Sequence, residues 1–352
     1  MRRRCGIVGP ERSAASPVDF HPRGPKPDNS MKFTVHHATV YRYARPVGFG
    51  PHRMMLRPRD SHDLRLVGTE LVLSPPADLH WLHDVFGNSV AIADFRDEAA
   101  ELRIESTLHL ERFALERPAF RLASDAAAYP FVYSSEDRTD LGRQLERHSP
   151  DPTGMIDAWA RSFVRQKPMD TLELLASINS AIKAQFAYAV RDEEGTQTPI
   201  ETLERHSGTC RDYAFLMMEA VRSLGFGARF VSGYLYDPKL DGLGDDGTAG
   251  AGATHAWCEI YLPGAGWVEY DPTNALIGSA ALIRVAVTRD PAQAVPVSGS
   301  YSGTAEDYLG MSVEVTVTAG DPPGAASPTI TVMPERRAAA NLSREEEGFT
   351  PA

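Results

Sequence analysis

Apolar residues recur at every second position in the first third of this chain and at every third or fourth in its middle. That change of period limits what the chain can fold into. Phe33, Val35, His37, Thr39, Tyr41 and Tyr43 alternate, as one face of a half-buried strand does. Leu64, Leu66, Leu71 and Leu73 mark a second strand, and Leu102, Ile104, Leu108 and Leu110 a further one. Phe86-Gly87-Asn88 reads as a turn between strands at 79–85 and 89–95. Together these predict an antiparallel β meander over residues 32–112.

Helical spacing begins after the punctuated stretch from Pro118 to Pro152. Met155, Ile156, Trp159, Phe163 and Val164 keep a 3.6-residue period. Asp170 and Glu173 are spaced as a capping box ahead of Leu174, Leu175, Ile178 and Ile182. Thr198-Pro199-Ile200-Glu201 combines an N-cap, a proline at the first helical position and a glutamate at the third. Strand-like residues return at 228–236, 254–271, Val285–Thr288 and Val313–Thr318.

The class is therefore α+β, with a β-rich N-terminal domain over 31–150 and a mixed domain over 151–318. Residues 1–30 are rich in Pro, Gly, Ser and Arg and lack periodicity, as does the tail over 319–352, where only Thr329–Met333 looks strand-like. Both are expected to be disordered. Met31 opens the patterned chain and competes with Met1 as the start of translation. The Gly- and Asp-rich Asp237–Gly252 segment predicts a mobile loop.

Composition removes several function classes. No run approaches the ~18–20 uncharged apolar residues of a membrane span. The formal charge of −11 argues against a nucleic-acid or anionic-membrane partner. Three cysteines, Cys5, Cys210 and Cys258, cannot build a disulfide framework and fit a reducing compartment. No apolar stretch follows Arg2-Arg3-Arg4, so the cytoplasm is the expected location. His36, His37 and His52 make no convincing metal set, and no EF-hand-type acidic loop is present. Neither metal nor cofactor is expected.

One cysteine stands where chemistry is favoured. Cys210 lies in Ser207-Gly208-Thr209-Cys210-Arg211-Asp212, at the first turn of a helix that carries Ala214, Met217, Met218 and Val221 on one face and ends before Gly225. Unpaired N–H groups and the helix dipole favour an anion there, and the thiolate is the reactive form of cysteine. An isolated cysteine is more often a small packing residue, so a partner is needed. His255 is the candidate base. Strand alternation puts His255 and Trp257 on one face and Ala256 and Cys258 on the other, which makes Cys258 a buried structural thiol. Asp212 reads as a dipole partner, Arg211 as an inter-element ion-pair residue, and Trp257 and Trp267 as core.

Asp271 ends the returning strand before Pro272 and is the candidate orienting carboxylate. Register decides whether it can act. A four-residue loop between the strands sets Asp271 opposite Cys258, on the wrong face. A five-residue loop or a bulge sets it opposite Trp257 and diagonal to His255. Both registers remain open from the residues alone.

Several segments resemble a known family. Gly195–Pro199, Ser207–Ala214, Arg229-Phe230-Val231-Ser232-Gly233-Tyr234, Thr254-His255-Ala256-Trp257, Gly264–Asn274 and Val285-Ala286-Val287 with Arg289-Asp290 are similar to the transglutaminase-like core superfamily. His37-x-Thr39-x-Tyr41-x-Tyr43, Gly50-Pro51-His52-Arg53, Leu56-Arg57-Pro58-Arg59 and Asp84-x-Phe86-Gly87-Asn88 resemble the bacterial transglutaminase-like N-terminal region. The resemblance implies a papain-like core with Cys210, His255 and Asp271 as a catalytic triad. It implies a peptide or protein substrate and acyl transfer through a thioester, with peptidase or amidase activity favoured. Protein cross-linking, and a non-enzymatic interaction module on the same fold, are the alternatives.

Overall fold

The computed structural model describes residues 30–113, 120–189, 195–238 and 252–320. The disorder expected for 1–29 and 321–352, and most of the loop expected to be mobile (239–251), lie outside the described residues. The alternating segments form β1 (Ser30–Phe49), β2 (His52–Met54), β3 (Leu64–Ser74), β4 (Ala77–His83), β5 (Ser89–Phe95) and β6 (Ala99–Phe113). Phe33, Val35, Leu102, Ile104, Leu108 and Leu110 are buried, as their spacing predicts. The strands do not form a meander. β6 lies between β1 and β3, while β5 lies between β2 and β4. A period of two says which face of a strand is buried and nothing about which strand lies beside it.

The second domain begins earlier than 150. The Ala123 N–H donates to the Pro263 carbonyl at 2.7 Å. β7 (Ala128–Tyr129) comes next, and Tyr129 stacks on Phe226 at 5.5 Å. Tyr133 donates to the Tyr261 carbonyl at 2.7 Å, just before α1 (Ser135–Leu141). The proline-punctuated stretch thus packs on the mixed domain, because its tyrosines find their apolar and hydrogen-bonding partners there.

Next come α2 (Met155–Arg161), β8 (Met169–Asp170), α3 (Thr171–Gln185) and β9 (Ala187–Tyr188), then α4 (Pro199–Arg205), β10 (Ser207–Gly208) and α5 (Cys210–Ser223). Asp170 caps α3 by accepting from the Glu173 N–H at 2.8 Å, and Thr198 and Glu201 form the reciprocal box on α4. β11 (Ala228–Leu235), β12 (His255–Leu262), β13 (Gly266–Asp271), β14 (Leu276–Ile277) and β15 (Leu282–Thr288) build an antiparallel sheet in the order β14-β13-β12-β11-β15.

α5 packs on one face of that sheet. Tyr213, Ala214, Met217, Met218 and Val221 meet Phe230, Ala256, Cys258 and Ile260 in one buried cluster. Burying a large apolar side chain is worth about 1.5–3 kcal/mol, against about 1 kcal/mol for a helix cap. Packing therefore holds α5 in place, and its cap only chooses where it starts. The opposite face meets the N-terminal domain, where Tyr234, Ile283 and Val285 cluster with Phe33, Val35, Leu108 and Leu110. Asn88 fastens the two domains, donating to the Val287 carbonyl at 2.7 Å and accepting from the Val287 N–H at 2.9 Å.

The chain then returns to where it began. β16 (Val297–Ser298) pairs with β2, β17 (Tyr301–Ser302) pairs with the end of β1, and β18 (Tyr308–Ala319) pairs with β1 from Phe33–Ala319 to Tyr43–Tyr308. Val313–Thr318, expected to close the second domain, therefore belongs to the first. Without β18 the long first strand would present an open edge of unpaired backbone groups. No helix among the described residues is long and apolar enough to cross a membrane.

Candidate active site

Cys210 is the first residue of α5, as its sequence context predicts, with Thr209 as N-cap. What holds the helix start is Asp212, which does more than complement the dipole. It is buried, and its carboxylate accepts from the Thr209 N–H at 2.8 Å, the Thr209 hydroxyl at 3.0 Å and the Gln197 N–H at 2.7 Å. The Gly195–Pro199 segment is thereby drawn against the cysteine. Gly208 allows this approach, since a Cβ there would lie 2.9 Å from the Asp212 Cβ and 3.1 Å from the Gln197 Nε2.

His255 is the first residue of β12 and Asp271 the last of β13. The observed register pairs Tyr261 with Trp267 and Cys258 with Tyr270. Continued one step, it sets Asp271 opposite Trp257 and diagonal to His255, the second of the two possibilities. The tight turn that makes it so has Gly264 at φ 86° and Gly266 at φ 75°, backbone angles that glycine adopts without steric cost. His255 Nε2 and Asp271 Oδ2 are 2.9 Å apart, both side chains fully enclosed. Asp271 also accepts from the Thr273 N–H and the Asn274 side-chain amide, each at 2.9 Å.

These contacts set the charges. Burial works against a charged imidazole, but the Asp271 carboxylate, its hydrogen bond, and the Cys210 thiol together raise the His255 pKa to about 10. Burial likewise works against a charged Asp271, yet His255, Asn274 and Thr273 hold it below the usual carboxylate range. The pair therefore favours the protonated ring. Its other nitrogen, Nδ1, is buried without a well-formed hydrogen bond.

Cys210, Thr209, Arg211, Gly195, Thr254 and His255 line one cavity of about 150 Å³. Arg211 differs from its expected role. It donates to the Pro291 carbonyl at 2.6 Å and lies over the Phe230 ring at 4.9 Å, bracing the cavity wall. Tyr188 went unmarked in the sequence. Burial, and then the charge of Cys210 and a hydrogen bond to it, push the Tyr188 hydroxyl above its ordinary pKa. β9 and β10 pair in parallel and match Tyr188 with Gly208, two residues before the cysteine. No local signal marks a single tyrosine for this position. Trp257 is fully buried, with its ring 5.9 Å from that of His255. Cys258 sits in the main core, its thiol pushed up first by burial. Among the described residues no group of His, Cys, Asp and Glu is placed to hold a metal ion.

Comparison with known proteins agrees with this architecture. An uncharacterised protein of Mycobacterium tuberculosis (strain H37Rv) is 29% identical over 306 residues, covering 82% of this chain and 94% of that one. One from Mycobacterium leprae is 27% identical, covering 81% and 98%. A protein-glutamine gamma-glutamyltransferase of Pseudomonas aeruginosa is 27% identical over 57% of this chain but only 29% of its own length. The crystal structure of a candidate cysteine protease from Cytophaga hutchinsonii matches the fold with a TM-score of 0.57 at 20% identity, covering 84% of this chain and 93% of that one. The family profile of the bacterial transglutaminase-like N-terminal region matches residues 33–111, and that of the transglutaminase-like superfamily matches 157–272. Residues 157–272 thus match the transglutaminase-like superfamily and residues 33–111 the bacterial transglutaminase-like N-terminal region, the former on a papain-like fold.

Proposed function

We propose that the protein is a cysteine hydrolase that cleaves peptide or isopeptide amide bonds through a thioester on Cys210. The observation that carries this reading is the enclosed His255–Asp271 pair, whose histidine lines the same cavity as a cysteine at a helix N-terminus. Cys210 gives its thiol proton to His255 and its sulfur attacks the amide carbonyl carbon. The N–H groups of the first helical turn lack intrahelical acceptors, and that of Cys210 can stabilise the developing oxyanion. As the C–N bond breaks, the imidazolium of His255 gives its proton to the leaving amine. The neutral ring then takes a proton from water, whose oxygen attacks the thioester and breaks the C–S bond. Asp271 keeps the ring in the tautomer and orientation both steps need.

Water is favoured as acceptor. At ~55 M it wins unless a site binds an amine and excludes water. The similarity to the Pseudomonas aeruginosa protein-glutamine gamma-glutamyltransferase keeps an amine acceptor, and hence cross-linking, as a second reading. Incubation with a peptide library, with and without a primary amine, read by mass spectrometry, separates them. Hydrolysed products alone support the hydrolase, and amine-adducted products support the transferase. A folded protein that neither turns over peptides nor reacts with a thiol-directed probe at Cys210 is an interaction module instead.

A further inference from the structure

A second cavity, of about 460 Å³, lies in the N-terminal domain and shares no lining residue with the Cys210 cleft. It opens between β3 and β4, each an edge strand of one of the domain's two sheets. Arg57, Arg59 and His83 line it together with Trp81, Leu66 and Asp60. The Arg57 guanidinium lies over the Trp81 ring at 5.6 Å and makes no hydrogen bond or ion pair among the described residues. Arg59 donates to the Gly87 carbonyl at 2.7 Å, and its guanidinium packs against the glycine, 2.5 Å from where a Cβ would stand. Asp60, the acid on the wall, already accepts from the Leu66 N–H at 2.7 Å.

Three properties of the cleft point one way. Two guanidiniums with donors to spare suit carboxylates, which they bind in a forked geometry. Trp81 is 45% exposed, with Leu79 and Leu82 exposed beside it, an apolar surface that an occupant would cover. Each edge strand pairs on one side only, which leaves backbone donors and acceptors open to an extended chain. In a protein of net charge −11, this local positive field also distinguishes the cleft from the rest of the surface.

We propose that the β3–β4 cleft binds an extended polypeptide segment carrying carboxylate side chains. The carboxylates lie on Arg57 and Arg59, an apolar residue lies on Trp81, and the backbone of the segment pairs with an open strand edge. This assignment does not depend on the chemistry at Cys210.

The test is a titration of the full chain with a blocked peptide of alternating Glu and Val, read by tryptophan fluorescence and by calorimetry in parallel. A Lys–Val peptide and free glutamate serve as the comparison arms. Saturable binding of the Glu–Val peptide is expected, weakened about tenfold or more by Arg57→Gln and by raising salt to about 0.5 M. The fluorescence change should vanish in Trp81→Phe. Arg57 has no hydrogen bond to lose, so Arg57→Gln tests the cleft without unfolding it, as circular dichroism will show. The proposal is overturned if no heat or fluorescence change saturates at millimolar peptide, if the Lys–Val peptide binds as well, or if Arg57→Gln binds like the parent. Free glutamate binding as tightly as the peptide would also overturn it, in favour of a small-carboxylate site.

Discussion

Two charged pairs sit on the same face of β12 and β13, and the protein treats them in opposite ways. At the end of the strands His255 meets Asp271. In their middle Glu259 lies directly opposite Glu269. All four side chains are buried. Asp271 has a cationic ring and two further donors, and is held below the ordinary carboxylate range despite its burial. Glu269 is raised to about 7, first by burial and further by Glu259, with Arg112 and Arg284 opposing. Its nearest cations are 3.5 Å and 4.0 Å away, and its Oε1 has no hydrogen bond. Glu259 takes the closer contacts of Arg229 and Arg284 and stays low. Burial alone therefore does not set the charge of a carboxylate. The number and closeness of donors does, and here they are concentrated at the cavity and thinned at the domain interface.

The sharpest way to break this comparison is at its His255–Asp271 end. Asp271→Asn should keep a native circular dichroism spectrum and lower turnover roughly 10³-fold, because an amide can favour the wrong histidine tautomer. Activity within tenfold of the parent would mean that Asp271 does not orient the ring.

The pH dependence of stability separates the two pairs by sign. His255 holds its proton more tightly folded than unfolded. Its contribution is complete below its ordinary value of 6.5 and disappears as pH rises toward about 10. Asp271 acts in reverse, stabilising above its ordinary 3.8 and losing that effect as pH falls through its depressed value. Glu269 is also raised, so its contribution is complete below 4.5 and lost as pH rises through about 7. Thermal midpoints measured against pH should show an alkaline decline that Asp271→Asn diminishes and Glu269→Gln leaves in place.

Glu269→Gln imitates the protonated acid. It should raise stability at pH 8 by about 3 kcal/mol and change little below pH 4. A loss of stability at pH 8 would show that Glu269 is a functional partner of Arg112 and Arg284 rather than a strained one.

The smallest effect is expected at the other thiol on β12. Cys258→Ala should cost on the order of 1 kcal/mol of stability and leave labelling of Cys210 unchanged, because Cys258 packs in the core beneath α5.

Where neighbours in the sequence carry the physics, the chain is readable by itself. The alternation of β1, the capping box of α4 and the helix start at Cys210 are local. The backbone needs those residue types at those positions wherever the element ends up. The triad candidates were legible for the same reason, since a cysteine at a helix start and a histidine on a strand are local features. Their assembly was not. Whether Asp271 reaches His255 turns on a one-residue choice of register, decided by the turn at Gly264 and Gly266 and by the packing of Val268 and Tyr270 under α5.

Contacts between distant segments left no local mark. The return of β18 to β1, the packing of Tyr129 and Tyr133 on the second domain, Tyr188 beside Cys210, and the confrontation of Glu259 with Glu269 all join residues brought together only by folding. The amino-acid sequence by itself determined which segments are strands and helices, which faces are apolar and which thiol stands at a helix N-terminus, because torsional preference and hydrophobic period act over a few residues. Only the tertiary structure decided domain membership, register and the charge of each buried acid, because those depend on what is brought within a few ångströms when the water between distant segments is expelled.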